Sequence, residues 1–416
     1  MKILLLSTWF PYPPSQGSKI RAYYLIRALA EAHEVVLVSF ADGAIQSQWL
    51  AHMMGICAHV HVIEREPFHQ DRLRTVQGWL SLKPSSVIAI YSEEMSKHVK
   101  QIALDWQPDC VFALTFVMAA YALELRAIVP NARLILDVDN LLTRMLREAY
   151  CAVTQLDKRA RSWLAWWKFR RYEAELCQRF DLSLVVSDQD RRELLEMTSV
   201  QAPSNQSRRM TSALAVVPNG VDIAHNAPTS VSPQPNTLVF SGALTYSANY
   251  DAIAYFLQDI FPKIQTAVPE VHLSVTGSTK NVQIDRLAVD EHVSFTGFLD
   301  DVRPAVANSW ASVAPLRQGG GTRLKILEAM ALGTPVISTP KGAEGLNVTH
   351  GKDILLANDA KEFAQHVVDV VRSPEKRAAL SSSARKLVED QYDWRAIGQT
   401  LCRNVEALCA PTAKKV

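Results

Sequence analysis

A run of glycines followed by charged residues is the segment of this chain best suited to chemistry. It extends from Pro315 to Met330 and reads Pro-Leu-Arg-Gln-Gly-Gly-Gly-Thr-Arg-Leu-Lys-Ile-Leu-Glu-Ala-Met. Thr322 is a good N-cap for a helix that would end at Gly333. Glycines let main-chain amides approach a ligand closely, and a helix N-terminus concentrates unpaired N–H groups and positive potential. The pattern predicts an anion-binding site at Gly320, Gly321 and Thr322.

Three charged side chains follow the glycines and sharpen this prediction. Arg323 and Lys325 fall in the first helical turn, where cations oppose the helix dipole. A bound diphosphate would reverse that penalty, because a charge pair at about 4 Å is worth roughly 4 kcal/mol at an effective dielectric of about 20. Glu328 lies one turn after Lys325 on an otherwise apolar helix, and two ribose hydroxyls would give its carboxylate partners. The alternative is a tight turn in which Lys325 and Glu328 merely pair at the surface.

Three more glycines come directly after apolar, strand-like segments in the second half of the chain. They are Gly242 in Phe-Ser-Gly-Ala-Leu, Gly277 in Val-Thr-Gly-Ser and Gly297 in Phe-Thr-Gly-Phe-Leu. In an open parallel sheet, ligands bind at the carboxyl ends of the strands, where glycine permits close approach of the main chain. A lone glycine at a strand end is usually a turn. Because a glycine follows three of these strand-like segments, the three positions are candidates for the same site.

The amino-terminal half offers a second set of candidates. Lys19 and Arg21 fall in the first turn of the first predicted helix, where cations are again misplaced for the dipole, so an anionic neighbour is expected. A solvated helix start is the alternative. Asp139 follows a buried strand that ends at Asp137, and a carboxylate in such a place could deprotonate a hydroxyl as a general base. Asp137 could equally be structural.

The elements that must position these residues alternate between short apolar strands and amphipathic helices. This alternation is the signature of parallel sheets covered by helices on both faces. A chain of 416 residues is too long for one ordinary core and suits two α/β domains of roughly 200 residues each. A polar, Pro-rich stretch separates two such series. We therefore predict an amino-terminal domain over residues 1–222, a linker over 223–236, a second domain over 237–392 and a final helix over 393–416.

The composition excludes several classes of protein. A formal net charge of +2 argues against a nucleic-acid binder, and six scattered cysteines argue against a disulfide framework or a metal site and suit a reducing compartment. The longest apolar stretch, from Val111 to Leu125, falls short of the roughly 20 residues that a bilayer span needs. The opening run to Ser7 is better interpreted as a buried strand than as a signal peptide. We expect a cytoplasmic protein, soluble or peripheral at a membrane.

A basic segment rich in tryptophan stands out from this composition. Residues 157–171 hold six cations and three tryptophans in a predicted helix. Basic amphipathic helices with tryptophan suit an anionic membrane surface, at about 1 kcal/mol for each basic residue near the lipid. The alternative is a long helix whose tryptophans pack on the domain core while its arginines face water.

The carboxyl-terminal residues resemble a known family. The run Gly-Gly-Gly-Thr-Arg-Leu-Lys-Ile-Leu-Glu-Ala-Met-Ala-Leu-Gly, with Val217-Pro-Asn-Gly-Val-Asp222 ahead of it, is similar to the fourth family of GT-B glycosyltransferases. The segments at 13–21 and 84–94 resemble a branch found with exopolysaccharide synthesis. The resemblance implies two facing Rossmann-like domains, a metal-independent and usually retaining sugar transfer, and no cofactor besides a nucleotide-diphosphate-sugar donor. It also implies that the last helix crosses back onto the first domain.

The resemblance also assigns roles, and the chain departs from the family at three positions. Glu328 matches the glutamate that holds the ribose, whereas the glutamate that contacts the donor sugar in relatives is here Gly320. The Arg and Lys that relatives carry after the first strand of the second domain are Ala243 and Ala248. We therefore propose Arg323 and Lys325 as the replacement clamp for the diphosphate.

For the first domain, the resemblance implies that the loop of Gly17 lies near the donor phosphates and the acceptor, a saccharide or lipid-linked saccharide. Asp139 or Asn140 stands where relatives have a loop that contacts the donor sugar. In the retaining mechanism, the leaving phosphate can replace Asp139 as the base. Two rival functions remain open: a sugar-nucleotide epimerase of the same fold, and a nucleotide-sugar-binding subunit without activity.

Overall fold

Short apolar strands, most of them buried on both faces, form two parallel sheets in this protein. The computed structural model describes residues 1–65, 81–200, 213–228 and 232–410. The chain divides into two units: Met1–Pro218 together with the residues from Gly398 onward, and Asn219–Ile397. Each unit contains one sheet, which agrees with the predicted α/β class.

The sheet of the first unit has seven strands in the order β3-β2-β1-β4-β5-β6-β7. Its neighbouring strands pair in parallel throughout the described residues. The strands are β1 (Lys2–Ser7), β2 (Glu34–Ala41), β3 (His59–Glu64), β4 (Cys110–Leu114), β5 (Arg133–Val138), β6 (Leu182–Val185) and β7 (Ala213–Val216).

Helices connect these strands, as a parallel sheet requires. Their apolar faces pack on a core that includes Leu4, Val111 and Leu134, each completely buried. The helices are α1 (Gly17–Ala32), α2 (Ser47–Met54), α3 (Ser85–Ile90), α4 (Glu93–Trp106), α5 (Phe116–Glu124), α6 (Leu142–Ala152), α7 (Leu156–Arg179) and α8 (Asp188–Val200), with a 3₁₀ turn at Leu125–Ala127.

The sheet of the second unit has six strands in the order β10-β9-β8-β11-β12-β13. They also pair in parallel in the part of the chain that is described. The strands are β8 (Gln234–Ser241), β9 (His272–Thr276), β10 (Val293–Gly297), β11 (Ser309–Ala314), β12 (Val336–Ser338) and β13 (Leu355–Leu356).

The helices of the second unit bury a second core, in which Phe240, Phe256 and Phe363 have no exposed surface. After β13 only helices follow in the described residues, as predicted. The helices are α9 (Ser247–Tyr255), a π-helical stretch (Phe256–Ile260), α10 (Phe261–Ala267), a 3₁₀ turn (Ile284–Arg286), α11 (Arg303–Ala307), α12 (Leu324–Ala331), α13 (Ala360–Arg372), α14 (Pro374–Gln391) and α15 (Trp394–Cys409).

Helix α15 passes from the second unit into the first at Gly398. A Cβ at Gly398 would lie 2.6 Å from the Cβ of Ala28 in α1, so the two helices meet here without a side chain between them. The thiol of Cys402 donates to the Ala28 carbonyl at 3.4 Å. The end of the described chain is therefore part of the core of the first unit.

Two boundaries and one strand differ from what the sequence predicts. The division between the units falls after Pro218, and β8 begins at Gln234, inside the segment predicted as a linker. Residues 229–231 of that segment, and 411–416 of the last one, lie outside the described residues. Strand β3 was not predicted, because the alternation of His59 and His61 with valines produces a half-exposed edge strand and not an apolar run.

The strand order reverses direction at one place in each sheet. In the first sheet β1 lies between β2 and β4, and in the second β8 lies between β9 and β11. The connections on either side of such a switch point leave in opposite directions and open a crevice at the carboxyl ends of the strands. These two crevices are the places where each unit can hold a ligand.

Candidate functional site

The carboxyl ends of β8 and β9 touch through their main chains at two of the predicted glycines. Gly242 and Gly277 have positive φ angles of 151° and 114°. A Cβ at Gly277 would lie 2.5 Å from the carbonyl carbon of Gly242 and 2.6 Å from the nitrogen of Ala243, so no side chain fits there. Gly297, at the end of β10, has a φ of 71° and open space where a Cβ would be. This edge of the sheet is built from main chain that a ligand can approach closely.

The glycine loop follows β11, on the other side of the switch point. Gly319 and Gly321 adopt φ angles of 98° and 79°, which only glycine reaches without strain. Within the described residues, the main-chain N–H groups of residues 319–322 have no hydrogen-bond acceptor. A row of unpaired amides before a helix is an anion-binding arrangement.

The Arg323 side chain binds the main chain of this loop. Its guanidinium donates to the carbonyl oxygens of Gly319 at 2.7 Å and Gly321 at 2.9 Å, and also to that of Gly320. The side chain is 8% exposed. The cation therefore neutralises the carbonyl side of the loop, and its charge lies directly beside the loop amides.

The predicted N-cap role of Thr322 is wrong. Helix α12 begins at Leu324 with Arg323 in the N-cap position and without a side-chain cap. The Thr322 hydroxyl instead accepts a hydrogen bond from the side-chain amide of Asn219 at 3.0 Å. The reason is the tight turn at this point, where the Leu324 N–H donates to the Thr322 carbonyl at 3.1 Å and delays the helix.

Lys325 reaches from α12 toward the end of β8. Its amine donates to the side-chain oxygen of Asn249 at 2.9 Å and lies 4.2 Å from the centroid of the Phe240 ring. A Cβ at Gly242 would lie 2.6 Å from the same amine. Burial, with a smaller effect of Arg323, lowers the pKa of Lys325 to about 7. A cation held in apolar surroundings gains most from an anionic ligand.

Glu328 lies one turn further along α12 and is half-buried. The alternative interpretation of this segment paired it with Lys325 at the surface, but no ion pair joins these two side chains. In the part of the chain that is described, the Glu328 carboxylate has no hydrogen-bond donor. Burial raises its pKa, against the opposing effect of Lys325. A carboxylate in this condition needs partners from a ligand or from water.

In the first unit, the anionic neighbour expected for Arg21 is a carboxylate of the protein itself. The Arg21 guanidinium donates to both carboxylate oxygens of Asp137, at 2.6 and 2.8 Å, and both residues are 1% exposed. It also donates to the main-chain carbonyl of Val217 at 2.9 Å. Arg21 is therefore committed to the interior of the unit, and Asp137 has the structural role that was the alternative for it.

Asp139 lies at the end of β5, beside the start of α1. Its carboxylate accepts a hydrogen bond from the Ser18 hydroxyl at 2.9 Å. Burial and the neighbouring Asp137 raise the pKa of Asp139 to about 6, against the effects of Ser18 and Arg21. A carboxyl group with this pKa can accept or donate a proton near neutral pH. Gly17 is exposed as the first residue of α1, and Lys19 is half-buried.

Two residues that the sequence did not single out lie at the switch point of the first sheet. The hydroxyls of Thr8 and Thr115 are 2.7 Å apart, at the ends of β1 and β4. Thr115 has φ 74° and ψ 161°, a conformation that is nearly restricted to glycine. Such backbone strain in a non-glycine residue often marks a functional site, but a threonine after a strand gives no signal of it in sequence.

The basic segment at 157–171 forms part of the long helix α7, as predicted. The tryptophans of this segment differ in their surroundings. The ring of Trp166 stacks on Tyr150 at a centroid distance of 6.2 Å, whereas Trp163 is 45% exposed. Leu156, at the start of the helix, is 82% exposed. Across the described ranges, every helix is too short or too polar to cross a bilayer.

Comparison with known proteins finds a family model that matches part of the second unit. A family model described as "Glycosyl transferases group 1" matches residues 235–373, which lie within that unit. The match contains the strand-end glycines, the glycine loop and α12. The residues assembled at the switch point of the second sheet are thus those of a recognised transferase domain.

Two relatives match different shares of the chain. An uncharacterised 44.6 kDa protein from the cps region of Klebsiella pneumoniae is 20% identical over 406 residues, which cover 95% of this chain and 97% of that protein. The GDP-mannose-dependent monoacylated alpha-(1-6)-phosphatidylinositol monomannoside mannosyltransferase of Corynebacterium glutamicum is 30% identical over 152 residues. That match covers 34% of this chain and 40% of the mannosyltransferase, less than half of its length.

Among solved structures, Anabaena Alr3699/HepE in complex with UDP and glucose has the same fold. It aligns with a TM-score of 0.65 at 18% identity, covering 98% of this chain and 100% of that one. The fold expected from the resemblance is confirmed over the aligned 98% of this chain, and the transferase domain is confirmed within the second unit. The chain therefore has the GT-B fold, and its second unit carries a group 1 glycosyl transferase domain.

Proposed function

We propose that this enzyme transfers a sugar from a nucleoside diphosphate sugar, and that the donor binds at the switch point of the second sheet. The observation that carries the proposal is the arrangement around α12. In the described part of the chain, unpaired amides of residues 319–322 precede a helix that carries the Lys325 amine and a Glu328 carboxylate without a hydrogen-bond donor. These are the groups that two phosphates and a ribose need.

Each group then has a separate role in holding the donor. The loop amides and Lys325 bind the diphosphate and stabilise the charge that grows on it as the sugar leaves. The Glu328 carboxylate accepts hydrogen bonds from the ribose hydroxyls. Arg323 contributes by fixing the loop, because its guanidinium already binds three loop carbonyls. Gly242, Gly277 and Gly297 let the main chain approach the nucleotide. Neutralisation of the diphosphate by these groups requires no metal ion and no further cofactor.

The first unit is proposed to bind the acceptor, a saccharide or lipid-linked saccharide of surface or exopolysaccharide synthesis. The location of the Klebsiella relative in a cps region supports that role. Asp139 at the end of β5 is the candidate base, with Gly17 and Lys19 beside it on the loop and helix that follow β1. Its raised pKa suits a group that takes up a proton from a hydroxyl. Transfer with retention of configuration is proposed on the family resemblance alone.

The basic helix α7 is proposed to hold the enzyme at the cytoplasmic face of a membrane. Residues 158–161 carry three cations, all of them exposed, and Trp163 projects from the same part of the helix. Cations and an exposed aromatic ring are the groups that anionic lipid headgroups attract. This location would bring the enzyme to a lipid-linked acceptor.

A panel of nucleotide sugars tests the proposed reaction. The protein is incubated with UDP-, GDP- and TDP-sugars, and released nucleotide and altered sugar are measured. Slow release of nucleotide, which becomes faster with an acceptor, supports a transferase. Conversion of the sugar without release would identify an epimerase, and binding with neither reaction would identify a binding subunit. Binding itself is detected by the rise in unfolding temperature, since a ligand stabilises the protein by RT ln(1 + [L]/Kd).

A further inference from the structure

Asn249 joins the two parts of the proposed donor site. Its side-chain oxygen accepts the hydrogen bond from the Lys325 amine at 2.9 Å, and its side-chain nitrogen donates to the Ala243 carbonyl at 2.9 Å. The residue lies in α9 and is 8% exposed. One amide thus links α12 to the loop that follows β8.

The hydrogen bonds fix which way this amide faces. A carbonyl can only accept and an ammonium can only donate, so the Asn249 nitrogen must face Ala243 and its oxygen must face Lys325. The loop it holds is closely packed, because Gly277 lies directly on the Gly242–Ala243 peptide. Within the described residues, Asn249 is also the single hydrogen-bond acceptor of the Lys325 amine. The remaining N–H groups of that amine are left for another acceptor.

We propose that Asn249 is a positioning residue for the donor diphosphate, which it serves by holding the Lys325 amine at the end of β8. This inference rests on the proposed donor site and adds a residue to it. The family resemblance assigns no role to this position. Asn249 does not need to touch the donor: it acts through Lys325, and its loss should weaken binding of the phosphates and leave binding of the nucleoside unchanged.

The protonation of Lys325 supplies a second readout of the same arrangement. The charged groups that act on this amine are Arg323, which disfavours its protonation, and Glu328, which favours it. Asn249 from α9 and Phe240 from β8 also face it, and neither titrates. Because burial lowers the pKa of Lys325 to about 7, a bound diphosphate should raise that pKa and draw a proton onto the amine.

The test uses the full-length protein, with UDP, GDP, uridine and guanosine as probes in calorimetric titrations. Asn249→Leu should weaken binding of the preferred nucleoside diphosphate about tenfold. Affinity for the matching nucleoside should stay the same. The double variant Asn249→Leu with Lys325→Gln should bind the diphosphate no more weakly than Lys325→Gln alone. Asn226→Leu is the matched control, since Asn226 is also buried and donates to a main-chain carbonyl, that of Asp222.

The pH profile distinguishes positioning from loop stability. Above about pH 7.5 the terminal phosphate of a nucleoside diphosphate is almost completely ionised. From there to pH 9, the Kd of the unaltered protein should rise by up to about tenfold for each pH unit, because binding requires a proton. Asn249→Asp, which places a carboxylate beside the amine, should flatten this dependence.

Four results would overturn the proposal. Equal loss of nucleoside and diphosphate affinity in Asn249→Leu would show that the residue only stabilises the loop. Additive losses in the double variant would show that it does not act through Lys325. If the unaltered protein binds neither UDP nor GDP, the proposed donor site itself fails, whereas unchanged binding by Asn249→Leu removes this inference alone.

Discussion

Arg21 and Asp137 form a bidentate ion pair in the interior of the first unit, with two N–O distances of 2.6 and 2.8 Å. The pair links α1 to β5, and the additional hydrogen bond from Arg21 to the Val217 carbonyl extends it to the end of β7. Charges this deeply buried are tolerated only because every partner is present. The pair therefore ties together three elements whose ends surround the proposed acceptor side.

Removing one partner of this pair should destabilise the protein strongly. Asp137→Asn removes the carboxylate that pairs with the buried Arg21 cation, and such changes cost about 3–5 kcal/mol. We expect a clearly lower unfolding temperature of the ligand-free protein. Asp42→Asn is the control, because Asp42 is 66% exposed and lies 3.6 Å from Arg65. Exposed pairs contribute about 0–1 kcal/mol, so equal effects of the two changes would contradict the structural role of Asp137.

Asp139 should make the stability of the protein depend on pH. Its pKa is about 6 in the folded protein and about 3.9 when unfolded, so between these values the folded state binds more protons. Stability from this group is fully present below about pH 4 and falls as the pH rises to about 6. Asp139→Asn should therefore raise the unfolding temperature at pH 7.5 more than at pH 4.5. Calorimetry at both pH values measures the difference, and an equal shift at both would refute this assignment.

Glu328→Gln should separate nucleotide binding from stability. A hydrogen bond to a charged group is worth about 1.5–3 kcal/mol, so loss of the ribose contacts should weaken nucleotide affinity at least tenfold. The empty protein should unfold at the same or a higher temperature, because a half-buried carboxylate without partners has been removed. Glu344→Gln, which breaks the ion pair with Lys341, is the control. Normal nucleotide affinity in Glu328→Gln would place the ribose elsewhere.

Lys325→Gln and Arg323→Gln should both reduce donor turnover. They should shift the stability of the empty protein in opposite directions. Burial disfavours the charged form of Lys325, so its replacement should be stabilising below about pH 7, with a gain that shrinks toward pH 10. Replacement of Arg323 leaves the loop carbonyls without these hydrogen-bond donors and should be destabilising at every pH in this range. Thermal unfolding of both variants measures this, and shifts of the same sign would show that the two cations share one role.

Neutralising exposed cations of α7 should weaken binding to anionic vesicles. Lys158→Ser with Arg161→Ser removes two charges that would lie near the lipid, each worth about 1 kcal/mol. Co-sedimentation with vesicles that contain phosphatidylserine, at low and high salt, measures the effect, and transfer to a soluble acceptor should be unchanged. Arg191→Ser with Arg192→Ser on α8 is the matched pair. If the unaltered protein does not sediment with these vesicles at low salt, the proposed membrane role is wrong.

Much of the fold could be predicted from hydrophobic pattern alone. Buried parallel strands are short apolar runs, as in Cys110–Leu114, where every residue is buried, and such runs predict the alternation of strands and helices. The half-exposed edge strand β3 lacks such a run and was missed. The start of α12 was misplaced because the helix is delayed by a tight turn, in which the Leu324 N–H donates to the Thr322 carbonyl, while the Thr322 hydroxyl accepts from Asn219, a residue far away in sequence.

The residues of the site could be predicted from the sequence, but the hydrogen bonds between them could not. The spacing of glycines, cations and Glu328 indicated an anion site. It could not show that Arg323 turns back onto its own loop or that Asn249 holds Lys325, since both depend on side-chain directions. Arg21 shows the same limit: an expected anionic partner is present, and it is Asp137 of the same unit.

Helix α15 imposes an order on the biosynthesis of this enzyme. The strands of the first unit leave the ribosome first, but Gly398 and Cys402, which pack on Ala28, are made after the entire second unit. At a synthesis rate of roughly 5–20 residues per second, the last helix of the first unit is made on the order of ten seconds or more after the rest of that unit. During that time the face of α1 around Ala28 stays uncovered and is available to chaperones. Cutting the chain after Pro218 would make that exposure permanent, so a separately expressed amino-terminal half should require the α15 peptide to remain in solution.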